Sequence, residues 1–292
     1  MLAILTPFAG KTWALDRWLT AVRAANLPAD TQLIWLCNSP DEDFRQRLGD
    51  AAATIPWDVM LWQDANRATG SGFFSVDDTV SRLWRELRKR IPVDIGQILC
   101  LEDDILPAGG AVAELLAVSA QYGPMAAIGA PVPERVPGSG AYMVWRHPVT
   151  SGGEARAEGY EPVRVTPAEV GGLSFGCTLF PRSLFDLLSL RADPVRVMTP
   201  DKHNPRGFWG YDNEACDEVR RRGGYIIAAW GVKVEHMEHP PIAGPPTQRP
   251  ARDLDHFRAG NTDPRQNDRH AAARKRRGRE SPAKRAWLGR RP

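Results

Sequence analysis

Residues Gln97–Pro107 have the sequence QILCLEDDILP, in which an apolar run leads directly into three consecutive acids. An unbroken apolar run of this length is typical of a strand buried on both faces, as in a parallel sheet. Three adjacent carboxylates repel one another, and burying one without a partner is unfavourable. Mg²⁺ or Mn²⁺ would remove that penalty, because each binds carboxylates together with phosphate oxygens and water. The acids therefore indicate either a cation site or a solvated junction before the next helix.

The composition is that of a globular protein. The chain has 292 residues, of which 42% are hydrophobic, enough for one large α/β domain or two small ones. No segment approaches the ~20 apolar residues that span a bilayer, and the first ten residues do not resemble a signal peptide. We therefore expect a cytoplasmic protein without a membrane span. We also expect reduced, structural cysteines, because they are scattered and mostly lie in apolar runs: Cys37, Cys100, Cys177 and Cys216.

The first half of the chain repeats a strand followed by a helix. Four such units predict a parallel, doubly wound sheet, in which ligands bind at the carboxyl ends of the strands. Polar residues gather at those ends, at Thr6–Pro7, Asn38, Asp64 and Glu102–Asp104. The predicted strands are 2–6, 33–37, 57–62, 97–101 and 125–130, and the predicted helices are 12–25, one starting near Asp41, 76–90 and 108–122.

The second half is less regular. Residues 131–167 are rich in Gly, Pro and charge, which indicates either a lid or a surface insertion. A glycine-containing strand is predicted at 171–180, with Pro181 as the first residue of a helix. A second acidic segment, Trp209–Glu214, precedes a helix predicted at 215–222 and a strand at 225–230.

The acids and histidines of this half have two interpretations each. Asp212 and Glu214 fall in the first turn of the helix, where carboxylates are also favoured by the helix dipole. His236 and His239 follow a late strand, where a histidine is either a hydrogen-bonded structural residue or a metal ligand. A divalent cation at Glu102–Asp104 would favour the second interpretation.

The carboxyl-terminal segment is strongly basic. From Arg265 to Pro292 there are eleven Lys or Arg and two acids, a balance of +9, so the rest of the chain carries −6 of the total of +3. Such a segment is either a solubilising disordered tail or a phosphate contact without sequence preference. The candidate phosphate contacts are Arg274, Lys275, Arg276, Arg277 and Arg279.

Taken in order, four features resemble the GT-A fold glycosyltransferases, with a pattern nearest to the family 2-like enzymes. They are the strand end Thr6–Gly10, Glu102–Asp104 in place of the DxD motif, Trp209–Glu214 in place of the WGEDxD/E segment, and His236. The resemblance implies a GT-A, Rossmann-like α/β domain over residues 1–240, with a mostly parallel sheet flanked by helices. Within it, 1–130 would bind the nucleotide-sugar and 131–240 the acceptor, with 241–292 as a Pro/Arg-rich, disordered extension.

The resemblance also implies roles for the matched residues. Asp104 would bind Mn²⁺ or Mg²⁺, with His236, or His239 in its place, as a further ligand. Glu102 and Asp103 would hold the ribose or the donor sugar and support the metal. Asp212 would be the general base and Glu214 its competitor; Tyr211 stands where the family has an acid, which leaves that choice open. The nucleotide contacts would be Thr6, Pro7, Phe8, Asn38, Asp64 and Arg82.

These groups suit one reaction. A divalent cation neutralises the leaving diphosphate, and a carboxylate on the opposite face takes the acceptor proton, which inverts the sugar carbon. We therefore predict a metal-dependent, inverting hexosyltransferase that uses a nucleotide-sugar, with a UDP-sugar as the expected donor.

The acceptor and the enzyme class have alternatives. A hydroxylated base in phage DNA would explain the basic tail, whereas a polysaccharide or another small acceptor would leave the tail without a role. A nucleotidyltransferase would carry a Gly-rich, Lys- or Arg-containing loop after the first strand, of which Gly10–Lys11 is only a hint. A sugar- or nucleic-acid-binding module without turnover is the third alternative.

Overall fold

The first strand is buried along its whole length. β1 (Leu2–Phe8) alternates between the two faces of the sheet, with Ile4 and Phe8 in one layer of the core and Ala3 and Leu5 in the other. A strand with two apolar faces needs helices on both sides, which is the requirement that a doubly wound fold meets.

The protein is represented by a computed structural model that describes residues 1–64, 73–134, 140–146, 148–151, 154–157, 163–191 and 210–238. The remaining strands are β2 (Gln32–Cys37), β3 (Asp58–Gln63), β4 (Gln97–Leu101), β5 (Ile105–Pro107), β6 (Ala126–Gly129), β7 (Val144–Trp145), β8 (Pro148–Ser151), β9 (Glu154–Ala157), β10 (Ala168–Glu169), β11 (Gly172–Leu173), β12 (Cys177–Pro181), β13 (Tyr225–Ala228) and β14 (Val234–His236). The helices are α1 (Thr12–Ala24), α2 (Glu42–Thr54), α3 (Phe73–Arg88), α4 (Ala111–Tyr122), α5 (Arg182–Phe185) and α6 (Tyr211–Arg221).

Eight strands form the central sheet in the order β10-β13-β6-β12-β4-β1-β2-β3. Neighbours run parallel from β4 to β3 and between β13 and β6, whereas β12 lies antiparallel between β4 and β6, and β10 is antiparallel to β13. Six strands therefore run in one direction and two in the other. The prediction of a mostly parallel α/β sheet is confirmed.

The helices cover both faces of this sheet. Apolar residues of α1, α2 and α4 pack in one core layer, and those of α3, α5 and α6 pack in the other. α2 begins where the sequence predicts, because the Asp41 carboxylate accepts the backbone N–H of Phe44 and caps the helix.

Three details differ from the expectation. The run 171–180 is not one strand, because β11 pairs with β7 in a separate two-stranded sheet and only β12 joins the central sheet. Pro181 ends β12, and α5 begins one residue later. α6 begins at Tyr211 rather than Ala215.

The described residues all belong to one unit, Met1–His239. Within them no helix is long and apolar enough to cross a bilayer. The four cysteines are free and buried, as expected. His239 and the basic residues of the carboxyl-terminal segment lie outside the described residues, so their roles stay predictions.

Candidate functional site

The acid turn, Glu102–Asp104, follows the carboxyl end of β4 and is held by contacts from α1 and from the residue after β14. The indole Nε1–H of Trp18 donates to the carbonyl of Glu102 over 3.0 Å. The backbone N–H of Met237 donates to the carbonyl of Asp104 over 2.9 Å. Because α1 and the residue after β14 both bond its backbone, the turn has a fixed position at the edge of the sheet.

The two aspartates of the turn are deeply buried, with Asp103 4% and Asp104 0% exposed. The Lys11 ammonium lies between them, with Nζ 2.6 Å from Asp103 Oδ1 and 2.8 Å from Asp104 Oδ2. The backbone N–H of Ala9 donates to the other Asp103 oxygen over 2.9 Å. The segment that follows β1 thus supplies one positive charge to two buried negative charges.

His236 reaches the same turn because β14 pairs antiparallel with β5, opposite Ile105. Its Nδ1 lies 2.9 Å from the Pro133 carbonyl oxygen. A carbonyl only accepts, so Nδ1 carries the proton, and Nε2 faces Asp104 Oδ2 at 3.8 Å. A ring held in this way, by a carbonyl on its far nitrogen, is the usual arrangement of a histidine that binds a metal.

The Asp104–His236 pair fits a single divalent ion. Adjacent ligand atoms of one octahedral Mg²⁺ lie about 2.9 Å apart and opposite ones about 4.2 Å apart, so the observed separation of 3.8 Å needs a shift of about 0.4 Å to reach the second spacing. Within the described residues, no three His, Cys, Asp or Glu side chains converge into a complete metal site. The pair therefore suits an ion that completes its coordination with substrate phosphate and water.

Tyr211 joins the acid turn to the second acidic segment. Its hydroxyl donates to Glu102 Oε1 over 3.1 Å, and its ring packs edge-on against Phe175 with 5.5 Å between centroids. Tyr211 is the first residue of α6, so this bond connects the turn after β4 with the helix that carries Asp212 and Glu214.

Those two acids have different surroundings. Glu214 forms an ion pair with Arg221, with 2.6 Å between Oε1 and the guanidinium. Asp212 is partly exposed, and its Oδ1 accepts the backbone N–H of Asn213 over 2.8 Å. An arginine thus contacts Glu214, which is buried, whereas Asp212 is partly exposed and contacts the backbone and the side chain of Asn213.

The residues expected to bind the nucleotide lie at the ends of β1, β2 and β3. Asn38 and Asp64 continue the strand ladder through their backbone N–H groups, to the Phe8 and Cys37 carbonyls respectively. The carboxylate of Asp64 pairs with Arg82 at 2.6 Å. The structure therefore brings these two expected ligands into contact with each other.

Thr6, Pro7 and Phe8 are buried within β1. The ring of Phe8 packs edge-on against Trp18 and Trp35, with centroid distances of 5.1 Å and 5.4 Å. Core packing therefore accounts for the Phe8 side chain without a ligand.

No thiol beside the turn is prepared to ionise at neutral pH. Burial raises the pKa of Cys100 well above its usual value, and the nearby Glu102 carboxylate adds to the shift. Burial also raises the pKa of Cys177, on the neighbouring strand, to about 12. Both thiols stay protonated, so neither supplies a nucleophile or a metal ligand.

From the sequence, Lys11 is identified only as part of a possible nucleotidyltransferase loop, and its contact with the acid turn is not predicted. It precedes α1 and contacts acids that lie 92 and 93 positions further along the chain (103 − 11 and 104 − 11). Helical periodicity carries no information about such a contact. The available signal was its position directly after Gly10, at the end of the first strand.

Among the solved structures with a similar fold are two with a bound nucleotide-sugar. TarS residues 1–349 from S. aureus, in complex with UDP-GlcNAc, matches 82% of this chain and 59% of its own, with a TM-score of 0.51 and 10% sequence identity. A mannosyltransferase from Pyrobaculum calidifontis, in complex with GDP-Man and Mn²⁺, matches 83% of this chain and 58% of its own, with a TM-score of 0.51 and 14% identity. This chain thus spans about three fifths of each.

No protein-family model matches the sequence, and no curated protein matches it significantly. The likeness is therefore one of fold, and it confirms the GT-A-like architecture that the sequence resemblance implies.

Proposed function

We propose that this GT-A-fold protein is a glycosyltransferase that moves a sugar from a nucleotide-sugar to an acceptor hydroxyl with inversion. One observation carries the proposal: the buried Asp103–Asp104 pair and His236 converge at the carboxyl edge of β4. Ligands of open α/β sheets bind at that edge. The similar structures contain UDP-GlcNAc in one case and GDP-Man with Mn²⁺ in the other.

In this proposal Asp104 and His236 hold Mn²⁺ or Mg²⁺, which neutralises the charge that develops on the leaving diphosphate. The position of His236 Nε2 opposite Asp104 and the bond of its other ring nitrogen to Pro133 favour this assignment. His239 remains the substitute ligand. Glu102 and Asp103 bind the ribose or the donor sugar, and Tyr211 orients Glu102 by its hydrogen bond.

The nucleotide lies along the ends of β1 to β3, where Thr6, Pro7, Asn38 and Asp64 contribute mainly through position and backbone. Arg82 is held by Asp64, and it contacts the diphosphate when it exchanges that carboxylate for phosphate. Phe8 supports this edge from within the core. A UDP-sugar is the donor that we would test first.

Asp212 is the general base that deprotonates the acceptor hydroxyl. Glu214 is buried and its Oε1 contacts Arg221, whereas Asp212 is partly exposed, which gives Asp212 the better access to a substrate. A base on the first turn of α6 also lies on the helix that Tyr211 anchors to the acid turn.

For the acceptor we propose a hydroxylated base in DNA, contacted through the basic segment from Arg265 to Pro292. Its balance of +9 against −6 for the rest of the chain supports a polyanionic partner. Removal of the residues after 260 should lower turnover on DNA and weaken its dependence on salt. Unchanged turnover on DNA would favour a polysaccharide or a small acceptor.

A nucleotidyltransferase is the second candidate, and Lys11 favours it. A lysine directly after a glycine at the end of the first strand, in contact with the two acids, is also what phosphate transfer would use. This enzyme would release pyrophosphate from a nucleoside triphosphate, whereas the glycosyltransferase releases a nucleoside diphosphate from a nucleotide-sugar.

The deciding experiment is hydrolysis of a panel of UDP- and GDP-sugars, with and without Mn²⁺. The wild type should slowly release one nucleoside diphosphate when Mn²⁺ is present, and Asp104→Asn should abolish the release. Asp50→Asn, on the exposed face of α2, is the matched control and should keep it. Release of pyrophosphate from a nucleoside triphosphate instead would establish the second candidate. Donor binding without any turnover would indicate a binding module.

A further inference from the structure

Lys11 occupies the place beside the two buried aspartates that a cation would use. Its Nζ lies 2.6 Å from Asp103 Oδ1 and 2.8 Å from Asp104 Oδ2, and the latter oxygen is also the one that faces His236 Nε2 at 3.8 Å. The oxygen that the proposed metal would use is therefore already in contact with an ammonium group.

The backbone directs Lys11 to this place. Gly10 has φ +83° and a Cβ there would lie 2.4 Å from Ser39 Oγ, so the chain turns sharply at a position that only glycine fills without strain. Lys11 follows as the N-cap residue of α1, and its side chain makes no cap bond to the helix. Its contacts are to the acids instead.

The charges make simultaneous binding unfavourable. A divalent ion on Asp104 Oδ2 would lie no more than about 5 Å from the Lys11 ammonium, because each would contact the same oxygen. Like charges repel strongly at such a distance where aspartates are buried. Lys11 itself is 28% exposed, so its flexible stem has room to move away.

We propose that the Lys11 ammonium and the divalent cation are alternative partners of the Asp103–Asp104 pair, and that the donor diphosphate ends this competition by binding the ammonium. This inference rests on the proposed function, because it takes a nucleotide diphosphate as the ligand. The phosphate oxygens add negative charge that satisfies both cations. Metal and nucleotide should therefore bind with positive coupling, and the metal should bind weakly alone.

The test is Mn²⁺ affinity measured by calorimetry and by the EPR signal of free Mn²⁺, with no sugar donor present. Lys11→Met removes the charge and keeps the stem, and it should bind Mn²⁺ about tenfold or more tightly than the wild type, a typical coupling. Saturating UDP or GDP should strengthen Mn²⁺ binding in both proteins, because phosphate also coordinates the metal, but by a larger factor in the wild type than in Lys11→Met.

Lys89→Met is the matched control, because Lys89 pairs with Glu86 on the protein surface. It should leave Mn²⁺ affinity unchanged. Equal or weaker Mn²⁺ binding by Lys11→Met, or an equal gain in Lys89→Met, would overturn the inference. If Lys11→Met is too unstable for calorimetry, the same comparison uses Lys11→Gln and measures the rise in Tm on adding Mn²⁺. A rise no larger than that of the wild type, or an equal increase in Lys89→Met, would again overturn the inference.

Failure of the proposed function gives a different result. If no nucleotide-sugar is hydrolysed but Lys11→Met binds Mn²⁺ more tightly than the wild type, the competition between Lys11 and the metal is supported and the glycosyltransferase function is rejected. If a donor is hydrolysed but Lys11→Met leaves Mn²⁺ affinity unchanged, the glycosyltransferase function is supported and the competition between Lys11 and the metal is rejected.

Discussion

The hydroxyl of Tyr211 donates a hydrogen bond of 3.1 Å to the Glu102 carboxylate, so the first residue of α6 contacts the first acid of the turn after β4. These two residues belong to segments 109 positions apart (211 − 102). An ionised acid at position 211 would instead repel the Glu102 carboxylate.

Tyr211→Phe should remove this bond and keep the edge-on packing against Phe175. Loss of one partly buried bond to a charged group costs about 1.5–3 kcal/mol of unfolding free energy, measured by urea denaturation. Donor hydrolysis should also slow, because Glu102 loses its orienting partner. Tyr225→Phe changes a tyrosine that is 47% exposed, and it should change neither stability nor donor hydrolysis. An equal loss of stability and activity in both variants would contradict a specific role for the Tyr211–Glu102 bond.

Gly10→Ala should destabilise the protein by about 1–3 kcal/mol, because the backbone there is left-handed and the added Cβ would clash with Ser39. It should also weaken donor binding, since Ala9 and Lys11 flank the substituted position. Gly49→Ala is the opposite case, with open space around a glycine inside α2. It should stabilise the protein by about 0.5–1 kcal/mol. Thermal denaturation of both variants gives the sign of each change in stability. A Gly10→Ala protein more stable than the wild type would contradict the requirement for glycine at position 10.

Asp212→Asn should lower kcat about 10²–10⁴-fold with little change in nucleotide affinity, as expected when a general base is removed. Glu214→Gln should break the ion pair with Arg221 and cost up to about 1 kcal/mol of stability, since the arginine is largely exposed. Its effect on kcat should be much smaller. The opposite ranking of the two kcat values would make Glu214 the base.

The buried thiols should make the protein less stable at alkaline pH. The pKa of Cys177 and of Cys216 is raised by burial from 9.0 to about 12. In the unfolded chain these thiols ionise near pH 9, while the folded chain keeps their protons, so the free energy of unfolding falls as pH rises from about 9 towards 12. Below pH 9 this contribution to stability is complete.

Cys216→Ala should make that fall shallower by up to about 1.4 kcal/mol per pH unit, measured by urea denaturation at a series of pH values above about 8. A thiol reagent should find no rapidly reacting cysteine in the native protein at neutral pH, and four after unfolding. Identical slopes for the wild type and the variant would contradict the assigned pKa shift.

The sequence predicted the elements whose signals are local. β1, β2, β4 and α1 lie within two residues of their expected bounds, because apolar runs and periodic helices depend on near neighbours. The same reasoning placed Glu102–Asp104 at the edge of the sheet. It did not reveal the direction of β12, because a strand buried on both faces has the same apolar pattern in parallel and antiparallel sheets.

The contacts within the site were harder to predict. Lys11 joins Asp103 and Asp104, and Arg82 joins Asp64, through side chains that are distant in sequence. Charge type alone does not select one partner among many. His236 was identified as a ligand candidate, but its placement depends on the pairing of β14 with β5, and each of those strands has only three residues.

The antiparallel position of β12 has a consequence during synthesis on the ribosome. β4 lies between β1 and β12, so one of its edges can pair as soon as it emerges, while the other waits for Cys177–Pro181. The 80 residues that follow Leu101, up to and including Pro181 (181 − 101), take roughly 4–16 s to translate at ~5–20 residues per second. During that time the edge of β4 that will pair with β12 is unpaired in the nascent chain. Unpaired edges of apolar strands promote aggregation, and chaperones reduce that risk.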